Sequence, residues 1–327
     1  MKLRQFGIAF NRTFEQWMFL FIPGSLILGF LCADGLLSFI PAVPYLFAFV
    51  AFTMGLGCGL NEIKLVFRKP LPMVVTLVVA HALVPLAAYG IGSLIFGSDS
   101  PFVIGLVLFA LIPLGVSAIL WVGLSGGSVA MILAMVVIDS LMSPFLVPAG
   151  IHILFGESIE VDTTAIMLDL MLIVVAPTVA GMLLHQGTQG KIQPALAPIA
   201  PPVSKLCFVA IVALNAAAIE PHVAAMRQDM LKLVPVVLLL VGINYAAGFI
   251  GSKPFKSREL ETTLSYAAGI RNISLGIVIA LAYFSPQAAV PVVLSILLQQ
   301  PIATLHHYVL QKLHNRKTSE AVQGQVG

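Results

Sequence analysis

Charge is scarce in this chain: of 327 residues only 9% are Asp, Glu, Lys or Arg, against 59% hydrophobic, and the mean hydropathy is +1.02. A water-soluble domain of this length could not cover its surface with so few charges, which leaves a polytopic membrane protein. The formal charge of +3 offers no basic surface for nucleic acid. Cysteine is equally sparse. Cys32, Cys58 and Cys207 lie in or beside apolar runs without metal-ligand spacing, so they are expected to be small buried hydrophobes. H-E-x-x-H and G-x-x-x-x-G-K-[ST] are both missing, which removes a zinc peptidase and an ATP-driven pump. The first apolar run follows Arg12 and is succeeded by more, so no cleaved secretory leader is expected.

What the chain does have is length in its apolar runs. A bilayer core takes about 20 apolar residues per helix. Cutting at Pro, Gly and charged residues gives ten segments near 15–33, 43–61, 71–96, 101–123, 128–155, 164–185, 199–219, 231–251, 259–283 and 287–311. Continuous runs of this kind cannot be alternating barrel strands, so an all-α bundle is expected. Lys and Arg favour cytoplasmic loops. Placing both termini inside the cell gathers Lys2, Arg4, Arg12, Lys64, Arg68, Lys69, Lys191, Lys253, Lys256, Arg258, Lys312, Arg316 and Lys317 there, with Lys205 near a boundary. Only Arg227 and Lys232 fall outside, together with the acidic loops FGESIEVD and GSDSP. The expected location is the cell membrane.

A weak repeat runs through the chain. LIPLGVSAILWVGLSGGSVAMILAMVVIDSLMSPF (111–145) aligns with AGIRNISLGIVIALAYFSPQAAVPVVLSILLQQPI (268–302), placing Ser128 on Ser285 and Pro144 on Pro301. A five-span unit used twice must be inverted the second time, and inverted repeats with interrupted helices near the midplane are common in secondary transporters. This predicts repeats at 1–155 and 156–327. Pro113 with Gly115, and Gly269 with Arg271 and Asn272, are the candidate interruptions.

YLFAFVAFTMGLGCGLNEIKLVFRKP (45–70) resembles the second-span signature of bile acid:sodium symporter-like proteins. LIPLG with MSPFLVP resembles their fourth and fifth spans, ALNAAAI their seventh-span Asn-Ala motif, and GIRN their ninth-span G-x-Q-N, in order along nearly the whole chain. The resemblance implies ten helices, a panel and a core domain, broken fourth and ninth helices crossing in the core, and sodium-driven movement of organic anions such as bile acids, keto acids or pantoate. The sequence departs from this family at the sodium ligands. The ninth-span Glu and Gln are matched by Ala267 and Arg271, the fourth-span Ser-Asn by Ala118 and Ile119, the third-span Gln by Ala80, and the fifth-span hydroxyls by Ile132 and Val136. A cation needs several oxygen ligands, and aliphatic side chains provide none. Asn272 and Asn215 stay in register.

An arginine at a helix centre costs about 2.5–3.5 kcal/mol on insertion scales, so Arg271 must face protein or water. Its guanidinium is expected to stand in for the missing sodium as a fixed cation, with Asp139 in MVVIDSLMSP as counter-ion. That predicts sodium-independent transport, with no metal or cofactor. His81 is a candidate proton carrier or a packing residue. Asn215 and Asn244 line the cavity or bond between helices, and Asn272 offers freed backbone amides to an anion. Glu62, Asp169, His185, His306 and His307 lie near span ends, where solvation is expected to account for them. Two alternatives stand beside this reading. One is a conventional sodium symporter. The other is an intramembrane serine hydrolase, suggested by GLSGG (123–127), a G-x-S-x-G pattern that a tight turn also explains.

Overall fold

A computed structural model describes residues 2–156, 159, 161–223 and 228–323. Arg227 and residues 157, 158 and 160 of the acidic loop lie outside the described residues, as do the side chains of Lys2, Arg4, Arg12, Arg316 and Lys317. The described chain is helical throughout. The elements are α1 (Lys2–Leu31), α2 (Ala33–Leu56), α3 (Leu60–Arg68), α4 (Pro70–Phe96), α5 (Pro101–Leu111), α6 (Ala118–Leu124) and α7 (Val129–Phe155). They continue as α8 (Thr163–Gly187), α9 (Ala200–Val223), α10 (Met230–Ser252), α11 (Arg258–Gly269), α12 (Ile273–Tyr283) and α13 (Pro286–Gln323).

Seven of these helices are long and apolar enough to cross a membrane, which makes the chain a polytopic membrane protein. Of the other three expected segments, two are broken. The segment near 15–33 lies in the continuous helix α1, of which Leu20–Leu31 is an apolar stretch, and the segments near 101–123 and 259–283 are each two short helices with an extended break between them.

Local chemistry sets the helix starts. α4, α5 and α13 begin on Pro70, Pro101 and Pro286, where the missing N–H would have had no intrahelical partner. The Asp162 carboxylate accepts from the amides of Thr164 and Ala165 at 3.0 and 2.9 Å and caps α8. Ser257 caps α11 through the Leu260 amide. Glu62 accepts from the Gly59 amide at 2.9 Å and opens α3, so it serves as a cap rather than a loop charge. Cys58 is buried as expected, whereas Cys32 is exposed.

Two groups of helices result. α1, α2, α8 and α9 pack on one another, and α4, α5, α7 and α10 to α13 form the second, larger group. Without a hydrophobic drive between helices in lipid, close backbone approach is the main adhesive. At Gly105 of α5 an added Cβ would lie 2.1 Å from the Ala288 carbonyl oxygen of α13, so only glycine allows that contact.

Candidate transport site at the crossing of two broken helices

α5 stops because Pro113 cannot donate the next helical hydrogen bond and pushes Ile112 into an extended conformation, with ψ 150°. α11 stops at Gly269, with Ile270 extended in turn. Each break leaves backbone groups without helical partners, and each satisfies the other. The Gly115 amide donates to the Ile270 carbonyl and the Asn272 amide to the Pro113 carbonyl, both at 2.8 Å, forming an antiparallel bridge between Leu114 and Arg271. It is the only strand-like pairing among the described residues. Two glycines make room. A Cβ on Gly115 would meet the Arg271 carbonyl oxygen at 2.7 Å, and one on Gly269 would meet the Tyr245 ring at 2.2 Å.

Arg271 is 1% exposed, the largest fully buried side chain described. Its two terminal nitrogens donate to backbone carbonyls, Nη2 to Ala80 at 2.8 Å and Nη1 to Ile112 at 3.2 Å, while Nε has no partner. The two acceptors are available for local reasons. Ile112 is the last residue before the Pro113 break. Ala80 lies in a π-helical turn, Val79–Leu83, where the Val84 amide donates to Val79 and so bypasses Ala80. The residue that would serve Ala80 in that register is Pro85, which has no N–H. A charge-assisted hydrogen bond is worth about 1.5–3 kcal/mol, so two of them offset the cost of holding this cation inside a membrane helix bundle.

Asp139 is fully buried on α7. One of its oxygens pairs with His81 Nε2 at 2.6 Å and the other accepts from the Leu114 amide at 2.7 Å. The expected direct pairing of Asp139 with Arg271 is therefore replaced. The carboxylate is already committed to His81 and the break, and it acts on the guanidinium through space as a nearby charge. His81 projects from the same π turn that frees Ala80, and π turns recur at functional sites. Its Nδ1 is buried without a partner.

A cavity of about 60 Å³ adjoins the crossing. Phe47 and Met54 of α2, Val174 of α8 and Phe208 of α9 line one side; Gly115, Ser117, Ser140, Arg271, Asn272, Gln299 and Gln300 line the other. It thus lies between the two helix groups, with apolar walls on one face and polar groups on the opposite one. A pocket for a small molecule is typically ~300–1,000 Å³, so this cavity is small by comparison. Of the residues expected at the site, Arg271, Asn272 and Gly115 line the cavity. Pro113 and Gly269 shape the crossing, and Asp139 and His81 sit behind it. Asn215 and Asn244 are buried elsewhere; Asn244 donates back to the Leu240 carbonyl of its own helix.

Two polar residues escape a reading of the sequence. Gln299 clamps the Arg271 backbone, accepting from its amide at 2.8 Å and donating to its carbonyl at 3.3 Å. Gln300 accepts from the Trp121 indole at 3.0 Å and donates to Ser117 at 3.4 Å. Both sit in SILLQQPI, which reads as a span end, and Pro301 just beyond them was the available signal. His306 and His307 are partly buried rather than solvated at a span end. His306 bonds Ser265 at 2.8 Å and His307 bonds Ser125 at 2.7 Å. Ser125, the serine of GLSGG, also meets the Tyr266 hydroxyl at 3.2 Å. The second nitrogen of His307 faces Gln311 rather than a carboxylate, so the pair lacks the acidic third member of a hydrolytic triad.

The fold and the crossing are those of a membrane transporter. A model of the sodium bile acid symporter family matches residues 43–221, and the chain belongs to that family; it is a transporter and not an enzyme. Among its relatives, YbaS of Bacillus subtilis, described as an uncharacterized protein, is 34% identical over 90% of this chain and 96% of its own length. YocS of the same organism, described as an uncharacterized sodium-dependent transporter, is 27% identical over 88% of each chain. A probable chloroplastic sodium/metabolite cotransporter of rice, BASS1, is 26% identical over 76% of this chain and 60% of its own length.

Proposed function

We propose that the protein moves small organic anions of the bile-acid or keto-acid kind across the cell membrane by alternating access, without the sodium sites usual in its family. The observation that carries this reading is the placement of the Arg271 guanidinium on the carbonyls of Ala80 and Ile112, oxygens of the kind a bound cation would seek. A tethered cation there, beside side chains that offer no oxygen at Ala118, Ile119, Ile132, Val136 and Ala267, leaves little for sodium to bind. The anion would enter the cavity between the helix groups, near the Arg271 charge and the start of α12 at Asn272.

The broader architecture in this reading is ten spans in two inverted repeats, 1–155 and 156–327, with both termini cytoplasmic. α1, α2, α8 and α9 form the panel and the remaining helices the core. Support comes from the matching breaks after α5 and α11, which occupy corresponding positions when Ser128 is aligned with Ser285. Each of those serines also stands immediately before a long helix, α7 or α13.

Sodium symport is the second reading, favoured by the description of YocS as a sodium-dependent transporter and of BASS1 as a probable sodium/metabolite cotransporter. Reconstituted protein should take up a panel comprising a 2-oxo acid, pantoate and a bile acid equally well in sodium and choline buffers, and Arg271→Gln should abolish uptake. Strict sodium dependence in the wild type would sink the tethered-cation reading and leave the symporter.

A further inference from the structure

The buried charges at the crossing do not balance once an anion is bound. Arg271 contributes one positive charge and Asp139 one negative, and with neutral His81 the cluster sums to zero. An arriving monocarboxylate would make it negative in a small chamber with one apolar wall, where uncompensated charge is costly. One group in the cluster can restore neutrality. His81 is an imidazole, and an imidazole with one N–H can take a second proton at its other nitrogen. Its Nε2 donates to Asp139 at 2.6 Å, which fixes the tautomer and leaves the Nδ1 lone pair buried and unpartnered.

The elements packed on the π turn supply no competing titratable group. α5 carries none, and α7 brings Asp139 to the turn, its other titratable residue being His152 more than three helical turns further on. α10 has Lys232 near its start and Tyr245, whose hydroxyl donates to the Gln299 carbonyl. Arg271 reaches the same turn through Ala80.

We infer that His81, held by Asp139, is the binding site for a coupling proton, so that the transporter carries one proton with each monovalent carboxylate. The inference rests on the anion-transport reading above and supplies its driving ion. A hydronium ion gives its proton to the Nδ1 lone pair, one of its O–H bonds breaking to leave water; Nε2–H stays on Asp139. The cluster then carries a net positive charge that the carboxylate cancels. Because the linkage is reciprocal, the anion raises proton affinity by the same factor that the proton raises anion affinity. The Ala80 carbonyl and His81 belong to one turn, so a shift at His81 reaches the guanidinium directly.

The test uses full-length protein in sodium-free liposomes containing the pH dye pyranine. The same carboxylate panel is added as choline salts, and protein-free liposomes correct for passive diffusion of undissociated acid. Radiolabel gives anion uptake and the dye gives proton uptake. Wild type should show internal acidification with one proton for each anion. His81→Gln, which keeps a donor for Asp139, should lower the proton-to-anion ratio at least tenfold whatever its rate, while His152→Gln keeps the wild-type ratio. Because the wild-type ratio is read directly, poor folding of the variant cannot rescue the idea. Anion uptake without acidification, or an unchanged ratio in His81→Gln, would overturn proton coupling and leave anion transport intact. Uptake of no member of the panel above the protein-free control, at any pH gradient, would overturn both.

Discussion

The side chain of Gln299 pairs with the backbone of Arg271 as a neighbouring strand would, accepting from its amide at 2.8 Å and donating to its carbonyl at 3.3 Å. A glutamine on α13 thereby satisfies, inside the membrane protein, the backbone of a residue that has left its helix. Substituting Gln299→Ala strands the buried Arg271 N–H at a cost of about 1–3 kcal/mol, while the Arg271 carbonyl keeps the Ile273 amide as a donor at 3.0 Å. The variant should melt several degrees below wild type in detergent and transport poorly. Gln299→Glu keeps the acceptor and loses the donor, so it should fall further through an added buried charge. A melting temperature equal to wild type in Gln299→Ala would show that water serves the break equally well.

The two bonds from the Arg271 fork to Ala80 and Ile112 define a second prediction. Lysine offers one compact ammonium in place of a planar fork, so Arg271→Lys should retain the charge yet bind the two carbonyls poorly. Uptake should drop at least tenfold, with kcat lowered more than KM is raised if the retained charge still attracts the anion. Full activity in Arg271→Lys would mean that charge alone matters and the fork geometry does not.

Glycine substitutions should have opposite signs at two sites. Gly115→Ala places a methyl 2.7 Å from the Arg271 carbonyl oxygen, forcing the crossing backbones apart at a cost of about 1–3 kcal/mol. Gly90 lies within α4 with open space around it, and Gly90→Ala should stabilise the helix by up to about 1 kcal/mol. Paired thermal melts check both. Equal behaviour would refute the crossing as a tight contact.

Pro85 explains why the Ala80 carbonyl is available, so Pro85→Ala supplies an N–H where there was none. The π turn should relax toward α-helix, engaging Ala80 within its own helix and rotating His81 away from Asp139. Transport should fall severalfold although no group touching the cavity has changed. Retention of wild-type uptake, with the substituted protein folded by size-exclusion chromatography, would argue that the π turn is incidental.

The helical nature of the chain, the two breaks and the buried arginine were legible because each follows from a local rule: long apolar runs, Pro113, and a charge that lipid cannot accommodate. What the arginine bonds to was not. Asp139 looked like its partner as the carboxylate set deepest in a core span, whereas carbonyls released by Pro113 and Pro85 meet the guanidinium more closely. Backbone acceptors leave no residue-type signature. A proline two residues beyond a π turn does recur, since Met171–Val175 in α8 is followed by Pro177, and that spacing was available to a reader who knew its meaning. Gln299 and Gln300 were hidden for another reason. Polar residues near a span end look solvated until tertiary packing turns them inward, and the same error misplaced His306 and His307.

The bridge between Leu114 and Arg271 is made entirely of main-chain atoms. Its geometry is indifferent to which side chains those positions carry, apart from the small residue required at Gly115. Evolution can therefore rewrite the chemistry at the centre of this fold one residue at a time, exchanging ligands for a mobile ion with a permanent guanidinium, without first passing through a sequence whose scaffold has come undone.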